Sequence, residues 1–504
     1  MTRPTRSGRS AKVKARTDAP VLYKPALNRA VGPVNLLDEE GIQHIHRAVL
    51  HIVETIGVDF RDPVALADWT RAGARVEGTR VRLDRAQLME LIGQVPGGYR
   101  FNARNPERSV DVGGDSSIFA NCYGAPFVYG LDGVRRRSEL EDSRNFFRLA
   151  QMSACMHVPG ILPVEPQDVP VPQRHLDLVS SALRLTDKPI MGSVVSEAAA
   201  RDTVKMLRIV FGEDYLERNV VVTSLLNGNS PLVWDETMLQ SLRVYASANQ
   251  PALLTPFLLA GASAPASITG GVAQLLAEAL AGIAYAQVVR KGCPMVLGVA
   301  LLGVSMKTGA PMLGTAEPGL MNLVVGQMAR FYGLPWRSCT MWSGSKSADL
   351  QAGYDSANAM WPVLLGGCNF IVHSAGIMEG TLGVSYAKWV QDAAQLDGFY
   401  RFFEGLKAEN MNAILGDIAA IGPGGHFLGT DHTRENPFVV NPLQNNDSYE
   451  QWLEDGAKTA ETVGNETARR MLDRFEAPAM DGGISEALER FVADRRRALG
   501  GVSG

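Results

Sequence analysis

The chain has 504 residues, of which 46% are hydrophobic, 7% aromatic and 20% charged, and its formal net charge is −4. This composition supports a sizeable buried core and excludes a wholly disordered, collagen-like or coiled-coil protein, while the acidic balance opposes nucleic-acid binding. At roughly 100–200 residues per domain, the length fits several domains or one large α/β barrel with extensions.

Positive charge is concentrated at the N-terminus. The first sixteen residues contain six Lys or Arg and no acidic residue, whereas the rest of the chain has 43 basic and 53 acidic residues. We interpret residues 1–20 as a disordered basic tail; the alternatives are a nucleic-acid or membrane contact, or a transit peptide. No signal-peptide core and no run of about 18 apolar residues follows, so we expect a cytoplasmic protein with no membrane-spanning segment.

An amphipathic helix is predicted between the tail and a small mixed region. Apolar residues recur at three- and four-residue steps from Ile42 to Ile56, with Asp38 as a possible N-terminal cap and Gly57 at the end. Residues 21–116 are therefore predicted to form an N-terminal extension that packs on the main domain.

From residue 117 onward, strand-like and helical patterns alternate. Eight apolar runs of strand type are predicted, at 117–122, 156–164, 190–195, 220–226, 252–258, 295–300, 336–341 and 370–373. Helical patterns fill most of the gaps, as at 272–289, 319–332, 347–365 and 386–403. This alternation indicates a parallel sheet, and eight repeats favour closure into a (β/α)8 TIM barrel over residues 117–410. Residues 411–504 are then a C-terminal helical extension.

An open, doubly wound sheet is the alternative fold. It is disfavoured because neither GxGxxG nor GxxxxGK[ST], the phosphate-binding signals of such sheets, occurs in the chain. The five cysteines are widely spaced, form no CxxC pair and do not lie near His at ligand spacing. We therefore predict buried free thiols, with no disulfide framework and no metal site.

In a barrel the active site is built from the loops after the strands, so the polar and aromatic residues just past each run are the candidates. Single residues have structural explanations: Glu317 can cap a helix, Lys346 and Asp349 can pair at a helix start, and His373 can bond to the backbone. Together they make a mouth with aromatic walls and carboxylates, which is the arrangement that binds a quaternary ammonium. The predicted site is Glu317 and His373 as catalytic polar partners, with Tyr123, Trp342, Lys346, Asp349, Gln351 and Tyr354 as substrate-binding residues.

Four sequence blocks carry a family resemblance: MKTGAPMLGTAE at 306–317, RFYGLPWRS at 330–338, SKSADLQAGY at 345–354 and NFIVHSAG at 369–376. Agreement extends to LAGASAP at 259–265, AEALAG at 277–282 and GHFLGTDHT at 425–433. In these blocks, and in their order, the chain resembles the trimethylamine methyltransferase family. The resemblance implies a (β/α)8 barrel that passes a methyl group from a methylated amine to a corrinoid protein.

One departure from the trimethylamine enzymes narrows the implied substrate. Those enzymes carry pyrrolysine in the loop that here reads CTMWSGSK over 339–346, with ordinary residues only. The non-pyrrolysine branch, similar to glycine betaine corrinoid methyltransferases, is therefore closer and implies a small quaternary amine as methyl donor. A quaternary amine has no lone pair to mask and leaves as a neutral tertiary amine, so the protein mainly supplies orientation and a dry pocket.

The resemblance also implies the partners. No cobalamin-binding DxHxxG pattern occurs in the chain, so we expect it to bind no cofactor of its own and to meet cobalamin on a transiently docked corrinoid protein. We expect a homo-oligomer, because barrels of this size commonly pair through their outer helices. Two other functions remain open: a non-catalytic quaternary-amine-binding protein, and a barrel lyase using Lys346 as a Schiff base.

Overall fold

A computed structural model describes residues 23–406, 409–435, 441 and 443–500. The basic tail assigned to residues 1–20 lies outside the described residues. Within them the chain is a mixed α/β protein, which confirms the predicted class. The helices are α1 (Glu39–His51), α2 (Pro63–Arg71), α3 (Arg85–Ile92), α4 (Leu140–Met152), α5 (Val171–Leu185), α6 (Glu197–Phe211), α7 (Glu213–Arg218), α8 (Glu236–Ser247), α9 (Ile268–Val289), α10 (Ala316–Phe331), α11 (Leu350–Leu365), α12 (Tyr386–Phe403), α13 (Met411–Ile421), α14 (Asp431–Glu435), α15 (Tyr449–Glu454), α16 (Ala460–Asp473) and α17 (Gly482–Gly500).

The strands are short and lie mostly in the first four-fifths of the described chain. They are β1 (Leu27–Asn28), β2 (Val58–Phe60), β3 (Arg75–Glu77), β4 (Arg80–Arg82), β5 (Gly98–Phe101), β6 (Val110–Gly113), β7 (Ser116–Phe119), β8 (Phe127–Tyr129), β9 (Arg135–Arg137), β10 (Ile190–Gly192), β11 (Val222–Gly228), β12 (Val233–Trp234), β13 (Ala252–Ala260), β14 (Val296–Gly298), β15 (Ala300–Val304), β16 (Pro311–Met312), β17 (Trp336–Cys339), β18 (Phe370–Val372), β19 (Ile377–Met378) and β20 (Gly383–Ser385).

A parallel array of strands forms the centre of the molecule. Its order is β10, β11, β13, β14, β17, β18 and β7, and β15 continues alongside β13. β18 pairs in parallel with β7, with Phe370 opposite Ile118. Seven of the eight apolar runs predicted as strands contribute to this array.

The remaining run, 156–164, lies between β7 and β10 but forms only isolated bridges. The Asn121 N–H donates to the Val158 carbonyl at 3.0 Å, and the Met191 N–H donates to the Gly160 carbonyl at 3.4 Å. Pro159 and Pro163 interrupt the run, and a proline has no N–H to donate to a ladder. The prediction of a regular strand is wrong here for that reason.

The predicted helices lie where the periodicity placed them, and α12 coincides with the predicted range 386–403. α9 is the one described helix whose length and apolar composition would suit a membrane, and 83% of its most apolar 18-residue window is buried inside the molecule. It therefore packs as a core helix. Its buried Glu278 accepts hydrogen bonds from the Ser230 hydroxyl at 2.6 Å and the Leu232 N–H at 2.9 Å.

The first helix has the predicted cap and a modified end. The Asp38 carboxylate accepts a hydrogen bond from the Gly41 N–H at 2.8 Å, which satisfies one of the free amides of α1. The last predicted turn winds as a π-helix over Ile52–Ile56 and stops at Gly57, whose φ is +83°. A Cβ at this glycine would lie 2.7 Å from the Val81 carbonyl oxygen.

The N-terminal region covers one end of the parallel array. β5 and β6 extend the array beyond β7, Phe101 bridges to Val220, and the Phe101 ring lies 6.4 Å from that of Phe370. Because Val220 precedes β11 and Phe370 begins β18, this hairpin covers the amino ends of the strands. The five cysteines are buried and free, as predicted.

A buried ion pair on α12 joins the loops that leave two neighbouring strands. Lys388 and Asp392 form the pair, with side chains 3% and 6% exposed. The Lys388 ammonium also donates to the Met341 carbonyl at 2.8 Å and to the Ser356 hydroxyl at 2.7 Å. Asp392 accepts from the Gly376 N–H at 2.8 Å. Since Met341 follows β17 and Gly376 follows β18, the pair fixes the start of both loops.

We expect Lys388→Met to lower the free energy of unfolding by about 3–5 kcal/mol, because it leaves Asp392 buried without a counter-charge. The double variant Lys388→Met/Asp392→Leu should recover part of the loss, since no unpaired charge remains. Arg201→Met, which breaks the exposed pair with Glu197, is the control and should cost less than about 1 kcal/mol. Urea unfolding measures all three, and equal losses for Lys388→Met and the control would contradict the structural role of the pair.

Candidate active site

The loops that follow β7, β17 and β18 meet above the carboxyl ends of the parallel strands. β8 and β20, from two of these loops, pair in parallel with Val128 opposite Val384, and β9 and β19 pair on their outer sides. Trp342, in the third loop, forms a bridge with Ile377. Parallel α/β sheets carry their binding groups at this end, so the junction is the candidate active site.

Trp342 and His373 form a stacked pair at this junction. Their ring centroids are 5.9 Å apart and their planes differ by 24°. Trp342 is 6% exposed and His373 is 8% exposed, and the Nδ1 atom of His373 has no hydrogen-bond partner among the described residues. The structure thus brings together two of the residues that the sequence analysis predicted for the site.

Backbone strain marks both of the strand ends that carry this pair. Met341 has a φ of +48° and His373 a φ of +57°, in the left-handed region that residues other than glycine rarely adopt. Such conformations cost about 1–3 kcal/mol each and persist where the surrounding structure fixes them. The contacts of the Lys388–Asp392 pair to the Met341 carbonyl and the Gly376 amide supply that support.

His373 is a neutral ring rather than a proton donor. Burial lowers its pKa from 6.5 to about 3, and the positive charge of Arg337 acts in the same direction. The imidazole is therefore uncharged at neutral pH. An uncharged ring stacked on an indole can accept a cation nearby without repelling it.

Tyr123 follows β7 and is half-buried. Burial raises its pKa to about 12, with Arg337 opposing the shift and Glu165 adding to it. The phenol stays protonated at neutral pH, and the charge of Arg337 acts on both Tyr123 and His373. Arg337 therefore lies within electrostatic range of two of the predicted site residues.

Asp349 and Gln351 contact the loop that carries Trp342. Asp349 caps α11, accepting from the Ala352 N–H at 2.9 Å and from the Ser345 hydroxyl at 2.8 Å. Gln351 donates to the buried Asp355 at 3.3 Å, which also accepts from the Ser343 hydroxyl at 2.7 Å. These contacts hold the loop, and a direct contact of Asp349 or Gln351 with substrate stays a prediction.

Glu317, Lys346 and Tyr354 are exposed to solvent. Glu317 is exposed in the first turn of α10 and forms no hydrogen bond or ion pair with any described residue. Lys346 is exposed and donates to the Gly344 carbonyl at 2.6 Å, and Tyr354 is 60% exposed. No hydrogen bond or ring contact joins any of the three to the Trp342–His373 pair within the described chain, and their roles in the site stay predictions.

Two residues inside the apolar strand runs, Phe257 and Arg337, were not singled out by the sequence analysis. On β17, the Trp336 ring faces the helices, because a Cβ at Gly326 of α10 would lie 2.9 Å from it. Its neighbour Arg337 therefore faces the opposite, inner side of the array, since side chains alternate along a strand. Arg337 is only 2% exposed. The sequence signal for Arg337 was that it is the one cationic residue in the apolar run at 336–341.

Phe257 lies on the inner side by the same reasoning. Its strand neighbour Leu258 is opposite Leu301, and Leu301 faces α9, where a Cβ at Gly271 would lie 3.3 Å from it. Phe257 is 40% exposed although Leu258 is fully buried. An exposed ring on the inner side near the end of β13 adds a further aromatic group to this end of the array.

No metal cluster accompanies these groups in the described part of the chain, where no set of three or more His, Cys, Asp or Glu side chains is arranged to hold an ion. The chemistry that the described side chains offer is an aromatic, largely dry wall with one buried guanidinium. Such a wall suits a cation that must be held and oriented.

Acid should destabilise the protein partly through His373. Below pH 6.5 the unfolded chain binds a proton on this residue that the folded chain does not bind, until the pH approaches 3. The free energy of unfolding should therefore fall by about 1.4 kcal/mol per pH unit for this residue within that window. Between pH 6 and 5, the free energy of unfolding of His373→Asn should decline less steeply than that of the unaltered protein. Some decline should remain, because the buried His157 also has a pKa of about 3. Identical slopes for the two proteins would contradict a buried neutral His373.

Comparison with known proteins identifies similar methyltransferases. The chain is 36% identical over 470 residues to a glycine betaine methyltransferase of Desulfitobacterium hafniense (strain Y51), covering 92% of this chain and 98% of that protein. It is 24% identical over 400 residues to a proline betaine:corrinoid methyltransferase of Eubacterium limosum, covering 77% and 82% of the two chains. It is 26% identical over 463 residues to an L-carnitine:corrinoid methyltransferase of the same organism, covering 87% and 92%.

The family assignment rests on a match over nearly the whole chain. The family model described as trimethylamine methyltransferase (MTTB) matches residues 5–500. Together with the relative that is 36% identical, this match shows that the chain belongs to the trimethylamine methyltransferase family.

Proposed function

We propose that this protein transfers a methyl group from a small, glycine betaine-like quaternary amine to Co(I) carried by a separate corrinoid protein. The observation that carries the proposal is the buried, uncharged Trp342–His373 stack at the carboxyl ends of the strands. Three relatives support it by name, as methyltransferases of glycine betaine, proline betaine and L-carnitine. The first two names specify betaines.

The demands of the reaction match what the side chains offer. A quaternary ammonium is a permanent cation, so aromatic faces can bind it at any pH. In the transfer the C–N bond breaks, its electron pair leaves with the neutral tertiary amine, and the cobalt electron pair forms the new bond to carbon. No proton moves, so the site needs no general base. In such a reaction, a histidine with a pKa near 3 lines the pocket with an uncharged ring and transfers no proton.

The loop over 339–346 supports a quaternary rather than a tertiary amine. It contains only ordinary residues, and its Trp342 ring is buried against His373. In this proposal the indole forms one face of the cation pocket, Tyr123 forms another, and Phe257 projects from β13 toward the same end. Asp349 and Gln351 then act by holding the loop that carries the indole.

We propose further that the parallel array closes as a (β/α)8 barrel. The parallel pairing of β18 with β7 and the backbone hydrogen bonds of the 156–164 run to both neighbours support closure. A barrel mouth at the carboxyl ends would let the corrinoid protein approach Trp342 and leave again with its methyl group. Such a transient interface is typically small and polar.

A homo-oligomer is also part of the proposal. α13 exposes Met411, Leu415 and Ile418 with relative exposures of 59%, 54% and 49%, and it has no fully buried residue. An apolar helix face of this kind is typical of a surface that a second copy of the chain covers.

The decisive assay is incubation of the protein with glycine betaine and a corrinoid protein reduced to Co(I). We expect the absorbance of methylated cobalt to appear in step with demethylated amine. Tight betaine binding without methyl transfer would favour a non-catalytic binding protein. Trapping of a carbonyl substrate on Lys346 by borohydride would favour the lyase.

We expect Trp342→Ala to weaken glycine betaine binding on the order of thirtyfold, because a desolvated cation–π contact contributes about 2 kcal/mol. Trp342→Phe should retain most of the affinity. Tyr215→Ala, which removes a 41% exposed ring in α7, is the matched control and should bind as the parent does. Calorimetric titration measures all four proteins, and unchanged affinity in Trp342→Ala would show that the indole is structural.

A further inference from the structure

Arg337 is a buried cation with little to neutralise it. It is 2% exposed on the inner side of the array, and among the described residues no carboxylate lies within ion-pair distance of its guanidinium. Nη1 donates to the Val299 carbonyl at 3.2 Å, and Nε has no hydrogen-bond partner. An unpaired buried charge is unfavourable in a folded protein, so its retention calls for a ligand of opposite charge.

The hydrogen-bonding groups of the buried Arg29 and of the half-buried Arg243 are satisfied by the protein itself. Arg29, 7% exposed, donates to the Ser117 hydroxyl and to the Cys368 and Gly114 carbonyls. Arg243 pairs with the buried Asp62 at 2.8 Å. Arg104, Arg108 and Arg174 also have an unpartnered Nε, but each of them is only half-buried. Arg337 combines an unpartnered Nε with full burial of its side chain.

The position of Arg337 links it to the cation pocket. Its charge acts on His373 and on Tyr123, and His373 stacks on Trp342. A ligand placed against the aromatic pair therefore comes within electrostatic range of the guanidinium. In a small betaine the carboxylate is only one carbon away from the ammonium group, so one molecule can reach both.

We propose that Arg337 binds the carboxylate of the substrate and makes the enzyme selective for zwitterionic betaines over quaternary amines without a carboxylate. This inference rests on the proposed function of the same site. The planar guanidinium fits a carboxylate with two parallel hydrogen bonds. The same charge repels a simple cation such as tetramethylammonium, so Arg337 both attracts the correct ligand and rejects the wrong one. Lys346, which was predicted to bind substrate, is exposed and is not needed for this role.

The test compares glycine betaine with tetramethylammonium by calorimetric titration of the unaltered protein, Arg337→Met and Arg337→Lys. The unaltered protein should prefer glycine betaine, and Arg337→Met should bind it about 100-fold or more weakly. Tetramethylammonium should bind Arg337→Met as well as or better than the parent, because the repelling charge is gone. Arg337→Lys should be intermediate, since it keeps the charge but loses the planar fork.

Stability separates a binding role from a structural one. Arg337→Met should keep or raise the melting temperature, because it removes an uncompensated buried charge. Arg29→Met is the matched control and should lower the melting temperature, because it removes three hydrogen bonds made by a buried side chain. A lower melting temperature in Arg337→Met, with equal weakening of both ligands, would overturn the proposal.

If the variants fail to fold, the inference can still be tested on the unaltered protein, by comparing its affinity for glycine betaine with its affinity for tetramethylammonium. Equal affinity for the two ligands, with methyl transfer from both, would overturn the role of Arg337 and leave the methyltransferase proposal standing. If neither ligand donates a methyl group, the proposed function itself would be overturned.

Discussion

The candidate site depends on the buried ion pair between Lys388 and Asp392. Both residues lie on α12, one helical turn apart, and from there they contact the Met341 carbonyl and the Gly376 amide. Those two contacts fix the residues at which the chain leaves β17 and β18. The unusual backbone of Met341 and His373 is stable only because the surrounding groups hold it, and the stacked rings of Trp342 and His373 face each other as a result.

The site balances two electrostatic conditions. Its walls are neutral: burial lowers the pKa of His373 to about 3 and raises that of Tyr123 to about 12, so neither ring carries charge at neutral pH. Arg337 brings a formal positive charge that acts on both of these rings. A neutral aromatic wall next to one guanidinium is complementary to a small molecule with a cationic and an anionic end. The same arrangement is poorly suited to proton transfer, which the proposed reaction does not require.

Periodicity predicted the framework well. The runs at 190–195, 252–258 and 370–373 each contain a strand of the array, and the helical pattern at 386–403 is α12 itself. The run at 156–164 was misjudged, because its apolar content hides two prolines that break the ladder. Apolar periodicity reports which residues are buried, and it reports backbone pairing only indirectly.

The site was harder to predict because a loop residue and a core residue can look alike in sequence. The rule that active sites follow the strands selected Trp342 and His373, which the structure brings together. It also selected Glu317 and Tyr354, which the folded chain exposes and whose roles stay predictions. The same rule did not select Arg337, because this residue lies within a strand. Along a strand the side chains alternate between the two faces of the sheet, and the sequence alone does not tell which face carries Arg337. Lys388 and Asp392, four residues apart on a helix, have the spacing of an ordinary solvated pair, and only tertiary packing shows that they are buried.

In the proposed complex a betaine lies between the aromatic pair and the buried guanidinium. A crystal structure of the protein with bound glycine betaine would show this position. We expect the ammonium nitrogen within about 6 Å of the Trp342 ring centroid and carboxylate oxygens roughly 2.7–2.9 Å from the Arg337 guanidinium. A ligand bound away from these rings, or with its carboxylate turned toward Lys346 and solvent, would contradict it.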